Sequence, residues 1–258
     1  MNNFKILVFD TECNSLDTKD GVVMELAWAL YEAHSKRLLR CSSQLIKWSR
    51  PYQVDPEAFD ATRLSRDFCE SHGDIPINLQ NFVIDLDSAD AICGHNAHDY
   101  DRPMLLSNLK RVFHTEVTPL KEKLLIDTMF DCPYSKPKSL TLKYLALDHG
   151  HILNDAHQAM ADVFACAHVL FSYSLDDILK RANTPICTIS VKPDWGDKSL
   201  REKLLKLKFR WSSENKVWEK RTRAFYAYEI KEALGRDIFI NGSLFNPAHD
   251  NYDSFLPF

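Results

Sequence analysis

A short apolar run, Phe4-Lys5-Ile6-Leu7-Val8-Phe9, leads directly into Asp10-Thr11-Glu12. A run of this kind reads as a buried strand, and its end delivers two carboxylates at i and i+2. On a regular strand those side chains share one face, where like charges repel unless a cation lies between them. A solvated strand end would account for the same residues. The run is apolar enough to be central, however, and the end of a central strand is where open α/β sheets place their sites. The fold must therefore put a buried strand in its middle and tolerate two acids at the end of it.

The rest of the chain supplies the elements for such a fold. Val22–Glu32 and Leu38–Lys47 read as two more strands, giving a three-strand antiparallel start. From Asn78 the period changes, with Leu79, Phe82, Val83 and Leu86 at helical spacing. A compact strand, Ala91–Cys93, a helix from about Arg102 to Val112 and a short strand at Leu124–Ile126 follow. Two more helices are expected, Leu140–Asp148 started by Ser139, and about Ala156–Tyr173 with Ala159, Val163, Ala167 and Leu170 on one stripe. Three strands followed by alternating helices and strands make an α/β sheet protein. Asn183-Thr184-Pro185 breaks the helical region, so the expected division is a domain over 1–180 and a small α+β module over 181–258. In that module Ser199-Leu-Arg-Glu202 matches a capping box, Phe209–Lys220 reads as a hairpin, and Ala224–Leu234 reads as a helix.

Composition excludes several classes. The chain has 258 residues and seven glycines, none spaced for a GxGxxG fingerprint or a phosphate-binding P-loop. Its seven cysteines lie 21 or more residues apart, without a CxxC pair, which points to a reduced compartment. With no signal-peptide pattern and no apolar run of membrane-spanning length, the expectation is a soluble cytoplasmic protein without membrane association. The net charge of −4 divides unevenly: residues 1–180 hold 18 Lys/Arg against 26 Asp/Glu, and residues 181–258 hold 14 against 10. A uniformly basic nucleic-acid-coating protein is excluded, but a basic tail on an acidic domain is not.

Two further clusters join Asp10 and Glu12. Gly94-His-Asn-Ala-His-Asp-Tyr-Asp101 follows a strand and precedes a helix, and His157-Gln-Ala-Met-Ala-Asp162 opens the long striped helix. Asp101 alone could be an N-cap and His157 alone a surface residue. A lone inward Asp162 is expensive to bury without a partner or cation. Four carboxylates brought together form an all-oxygen site suited to hard cations such as Mg²⁺ or Mn²⁺ rather than zinc. An adjacent His supplies a base that titrates near neutrality. That set matches two-metal phosphoryl chemistry, and no Ser or Cys nucleophile arrangement competes with it.

In this order and at these gaps, FDTE at 9–12, GHNAHDYD at 94–101 and HQAMAD at 157–162 resemble the three exonuclease motifs of the DEDDh (DnaQ-like) 3′–5′ exonucleases, and most nearly those of exonuclease-X-like and Trex-like members. The resemblance covers roughly residues 4–180. It implies a ribonuclease-H-like fold, a mixed sheet flanked by helices, and stepwise release of nucleoside monophosphates from free 3′ ends of single-stranded or frayed DNA. It also implies Asp10, Glu12, Asp101 and Asp162 as ligands of two Mg²⁺ or Mn²⁺ ions, and His157 as general base. Asp101 is preferred to Asp99 because the motif's acid follows an aromatic residue, here Tyr100. Thr11, Cys13 and Asn96 are expected at the terminal nucleotide. One departure is the stretch Ala58–Ser65, which stands where many relatives carry a His-Gly-Ile-like segment. RNA 3′-end trimming by the same chemistry and a catalytically silent binding or scaffold protein are the alternatives.

The tail adds a further expectation. Lys198–Arg223 holds ten Lys/Arg and three Glu, with Phe209, Trp211 and Trp218 interleaved. Basic groups for phosphates and aromatic faces for stacking are the composition of a single-strand-binding surface, although the tryptophans could equally be the module's core. Lys203, Lys206, Lys208, Arg210 and Lys216 are the candidate contacts. A protein partner through this module and a homodimer are left open.

Overall fold

A computed structural model describes residues 3–114, 117–135, 137–153 and 158–247. The chain forms two compact units, Met1–Leu179 and Lys180–Phe258. The first begins with β1 (Lys5–Cys13), β2 (Val23–Glu32) and β3 (Arg37–Leu45), followed by α1 (Pro56–Thr62), α2 (Arg66–His72) and α3 (Gln80–Ser88). Next come β4 (Ala91–Gly94), α4 (Asp101–Phe113), α5 (Thr118–Glu122), β5 (Leu124–Asp127), α6 (Thr128–Asp131), α7 (Leu142–Asp148), α8 (Ala159–Phe171) and α9 (Leu175–Ala182).

Among the described residues these strands form a five-stranded mixed sheet in the order β3-β2-β1-β4-β5. The three opening strands pair antiparallel, and β4 and β5 join parallel to β1. The acid-bearing strand is therefore the central one, covered on both faces. It also runs further than the sequence suggests. Pairing with β2 continues through Glu12 opposite Glu25 and ends, after an irregularity, with Cys13 opposite Val23. Asp10 and Glu12 thus lie within the strand, where pairing fixes their direction.

One face of the sheet carries Phe9 and its partner Trp28, and Phe82 of α3 meets both rings edge-on, at 6.2 and 5.6 Å between centroids. Trp28 Nε1 donates to Asp85 Oδ2 at 2.9 Å, so the buried indole keeps a hydrogen bond. The opposite face takes α8, which packs on β1 and β2. The α8 stripe of Ala159, Val163, Ala167 and Leu170 is buried as the periodicity predicts. Ala156 and His157, expected to open this helix, lie outside the described residues. Leu140–Asp148 shortens to Leu142–Asp148 with Thr141 at the N-cap, because Ser139 Oγ accepts the Thr141 N–H before the helix begins.

The second unit is built from β6 (Ile186–Val191), α10 (Lys198–Lys206), β7 (Arg210–Ser212), β8 (Val217–Arg223), α11 (Ala227–Leu234), β9 (Phe239–Ile240) and β10 (Ser243–Leu244). Its sheet order is β10-β9-β6-β8-β7, paired antiparallel. Leu200 and Leu204 of α10 and Ile230 and Leu234 of α11 share a core with Ile189, Val191 and Phe209. The expected hairpin forms as β7 and β8, whereas a 3₁₀ turn at Ala224–Tyr226 replaces the first turn of the expected last helix. The expected capping box does not form. Asp197 is the N-cap of α10, its Oδ1 accepting the Leu200 N–H at 3.0 Å, and Ser199 Oγ donates to that same carboxylate. An ionised carboxylate one position before Lys198 takes the cap, leaving Ser199 inside the first turn. No helix among the described residues is long and apolar enough to cross a membrane.

Phe82 is fully buried against two aromatic rings. Phe82→Ala is expected to destabilise the first unit by about 3–5 kcal/mol, read as a lower denaturant midpoint for that unit's transition. A loss under about 1 kcal/mol would show that α3 does not anchor the sheet.

Candidate metal centre

Register fixes which side chains meet. Val8 pairs with Cys93 of β4, and Cys93 Sγ lies 3.9 Å from Cys166 Sγ of α8. The sheet face bearing Val8 is therefore the α8 face, and the two-residue strand period puts Asp10 and Glu12 on it as well. Opposite Val8 and Asp10 on β2 stand Ala29 and Ala27, whose small side chains let the helix approach. Asp162, in the first turn of α8, completes a trio. One carboxylate oxygen each from Asp10, Glu12 and Asp162 all lie within 4.8 Å of one another.

The trio is poorly solvated. Glu12 and Asp162 are buried and Asp10 is half-buried. Glu12 Oε1 is fully enclosed, and nothing among the described residues donates a hydrogen bond to it. Burial, followed by the charges of Asp162, Glu25 and Asp101, pushes the Glu12 carboxyl up to about 8. Asp10 is raised well above its ordinary range by burial, then by Asp101, Glu12 and Asp162. Such a corner is costly as a set of bare anions and suits a divalent cation, which satisfies the enclosed oxygen and offsets the mutual repulsion. The donors are all oxygen, as hard cations prefer.

Asp101 comes from the other side of β1. It is the first residue of α4, is buried, and accepts from Thr11 Oγ1 at 2.6 Å and from the Thr11 backbone N–H at 3.1 Å. Burial still raises its carboxyl, to about 6, against the lowering effect of those bonds. It lies outside the tight trio, but its charge is the largest of those acting on Asp10. Asp99 is exposed. His157 lies outside the described residues, which resume at Gln158, the N-cap of α8.

The expected nucleotide contacts are placed as follows. Thr11 and Cys13 are buried, with Thr11 committed to Asp101 and Cys13 Sγ donating to Thr11 Oγ1 at 3.5 Å. Asn96 is half-buried in the left-handed region, φ 59°. Lys203, Lys206, Lys208, Arg210 and Lys216 are all exposed, but they are spread over α10, the turn after it, β7 and the hairpin turn. Other basic residues of that segment are structural: Lys220 Nζ donates to the Leu207 carbonyl, and Arg223 is buried and donates to the Thr184 carbonyl. Trp218 packs on the core, while Trp211 meets it at 5.8 Å and stays partly exposed.

The sequence did not single out Asp127. At the end of β5 it is fully buried and accepts three backbone N–H groups, Asn96 and Met129 on Oδ1 and His98 on Oδ2. Burial pushes its carboxyl up to about 7 although these donors oppose the shift. The available signal was a lone acid ending an apolar strand, which also reads as an ordinary turn residue.

No protein-family model matches the chain, and no curated protein matches it. Solved structures do. An exonuclease I structure superposes with a TM-score of 0.59 at 16% identity, covering 73% of this chain and 48% of that one. The zinc-bound E. coli exonuclease I complex with single-stranded DNA gives 0.59 at 15%, covering 74% and 48%. A moderately thermophilic exonuclease I from Methylocaldum szegediense gives 0.58 at 15%, covering 74% and 48%. The chain has the ribonuclease-H-like fold of these exonucleases. It spans about half their length, and at this identity the likeness is one of fold.

The raised carboxyls set a sign for pH dependence. Glu12 binds its proton up to about pH 8 when folded, against an ordinary value of 4.5. Between those values the folded chain holds more protons than the unfolded one, so stability falls as pH rises through that window. In EDTA the thermal midpoint of the first unit is expected to drop between about pH 5.5 and 8, and saturating Mg²⁺ or Mn²⁺ is expected to cancel the slope. Glu12→Gln should raise the EDTA midpoint at pH 8 and remove most of the metal-induced shift. A midpoint indifferent to both pH and metal would contradict the assignment.

Proposed function

We propose that the chain is a metal-dependent 3′–5′ exonuclease that releases nucleoside 5′-monophosphates from free 3′ ends, with single-stranded or frayed DNA as substrate. The observation that carries this reading is the buried trio of Asp10, Glu12 and Asp162, with an enclosed Glu12 oxygen that has no donor among the described residues, at the centre of an exonuclease-like sheet. Asp10, Glu12, Asp162 and Asp101 would hold two Mg²⁺ or Mn²⁺ ions. When bound, the ions supply electrostatic stabilisation to the attacking and leaving oxygens of a phosphoryl displacement.

The chain's own groups do the rest. Asp10 and Glu12 are aimed by strand pairing, Asp162 by the first turn of α8, and Asp101 by the two Thr11 bonds. His157 is assigned as the general base. A neutral imidazole takes a proton from the attacking water at physiological pH. Water adds across the phosphorus–O3′ bond, so the terminal nucleotide leaves as its 5′-monophosphate and the shortened strand regains a 3′-hydroxyl. A scaffold that had lost this chemistry would have no need to keep three repelling acids in a buried corner. Exonuclease I, whose fold the chain shares, has been captured with single-stranded DNA and with zinc, which supports both the substrate class and a divalent ion.

Purified protein incubated with 5′-labelled DNA and RNA oligomers, free or blocked at the 3′ end, tests the reading. A ladder is expected only with a free 3′ end and with Mg²⁺ or Mn²⁺, and DNA should be shortened faster than RNA. Digestion of blocked ends, or activity surviving EDTA, would sink the mechanism. His157→Ala should slow cleavage by about 10²–10⁴-fold while leaving metal binding largely intact, whereas Asp10→Ala should lose both.

We also propose that the exposed cations of the second unit bind the nucleic-acid backbone. Neutralising Lys203, Lys206, Lys208, Arg210 and Lys216 together should weaken oligonucleotide binding and flatten its salt dependence, with the single-turnover cleavage rate at saturating substrate unchanged. An unaltered salt slope would remove this role.

A further inference from the structure

Asp127 sits outside the acidic trio, yet its carboxylate is enclosed and fully engaged. Its two oxygens accept from Asn96 N at 2.9 Å, Met129 N at 3.0 Å and His98 N at 3.0 Å, and its own N–H donates to Asp131 Oδ2 at 2.7 Å. Two of the three donors belong to the loop between β4 and α4. That loop turns through a left-handed Asn96, a conformation that costs a non-glycine residue about 1 kcal/mol or more and persists only when its surroundings hold it. Asn is among the few residues that adopt it readily.

From this pinned kink the loop builds directly into α4. The Asn96 carbonyl accepts the Asp99 and Tyr100 N–H groups, both at 3.2 Å, and the Ala97 carbonyl accepts Arg102 N at 3.0 Å. The residue between these last two donors is Asp101. There is little slack beneath the loop: a Cβ on Gly94 would fall 2.6 Å from the Ala97 Cβ and 3.3 Å from the Phe9 carbonyl. Asp127 therefore holds the segment that sets both the height of Asp101 above β1 and the direction of Asn96. Aspartate suits the position because an ionised carboxylate accepts at both oxygens, whereas an asparagine there would turn an N–H donor toward one of the donors it must satisfy.

We propose that Asp127 is a positioning residue of the metal centre, clamping the 95–100 loop through the Asn96 and His98 N–H groups so that Asp101 is held at the cation site. The role rests on the exonuclease reading only where turnover is the readout. It acts through the backbone and touches neither substrate nor metal, as outer-sphere groups that orient ligands do.

The test compares wild type, Asp127→Asn and a stability control outside the loop, Leu86→Ala. It reads Mn²⁺ binding by calorimetry without nucleic acid, amide hydrogen exchange over 95–101, and kcat and KM on a single-stranded oligomer. Asp127→Asn should bind Mn²⁺ about 10-fold more weakly, exchange faster at Asn96 and His98, and lose kcat about 10-fold or more with KM little changed. Leu86→Ala should lower the melting temperature without moving any of these. Wild-type Mn²⁺ affinity and loop exchange in a folded Asp127→Asn variant would overturn the proposal. If that variant does not fold, the wild type decides: its Asn96 and His98 amides must be protected as strongly as those of α4, and free exchange there would overturn the clamp. Failure of the exonuclease reading would remove the kcat arm alone, leaving the metal and exchange arms to judge Asp127.

Discussion

Three carboxylates are forced into one buried corner by strand register and helix packing, and much of the first unit is arranged around their repulsion. Asp10 and Glu12 cannot turn away from each other, because β1 stays paired with β2 through Glu12 and its side chains alternate strictly. Asp162 cannot withdraw, because the buried stripe of α8 fixes that helix against the same sheet face. The apolar groups that hold the sheet together thus also hold the acids together. A divalent cation turns this destabilising contact into a stabilising one, so affinity for the ion is paid for in metal-free stability.

Around the corner, the fold uses hydrogen bonds to set what packing alone would leave loose. Asp101 approaches β1 from the face opposite α8 and is caught by the Thr11 hydroxyl and N–H. Asp127 lies two strands out from β1, at the end of β5, and holds the loop that precedes Asp101. Strand β4 lies between β1 and β5 and carries Gly94, whose missing side chain leaves room for Ala97 of that loop. The site is thus carried by neighbouring parallel strand ends and by two helices that start next to them, rigid elements rather than free loops.

The legible parts of the sequence were those in which one physical pattern dominates. The apolar run into Asp10 announced a central strand, and the stripe of α8 announced a packed helix with Asp162 turned inward. What was hidden depended on competition or on distance in sequence. Strand β6 alternates buried and half-buried residues, but its Thr188 and Ser190 follow a Pro-containing breaker and mask the pattern. Helices α1 and α2 bury almost nothing, one of them only Cys69, so no apolar stripe betrayed them. At α10 two capping signals overlapped, and the ionised Asp197 prevailed over Ser199. Asp127 was illegible because two of its three partners lie about thirty residues away and all three are backbone groups, which leave no trace in side-chain composition. In the tail, the basic count did not separate cations drawn inward, such as Arg223, from those left at the surface.

The central claim is that Asp10, Glu12 and Asp162 form a cation site made by the fold rather than an incidental acidic cluster. Anomalous diffraction from crystals of the wild-type protein soaked in Mn²⁺ tests it most directly. The account predicts a manganese peak bounded by these three carboxylates, with Glu12 Oε1 among the ligating atoms, and no such peak in Glu12→Gln crystals. Manganese elsewhere on the protein with none in this corner would contradict it.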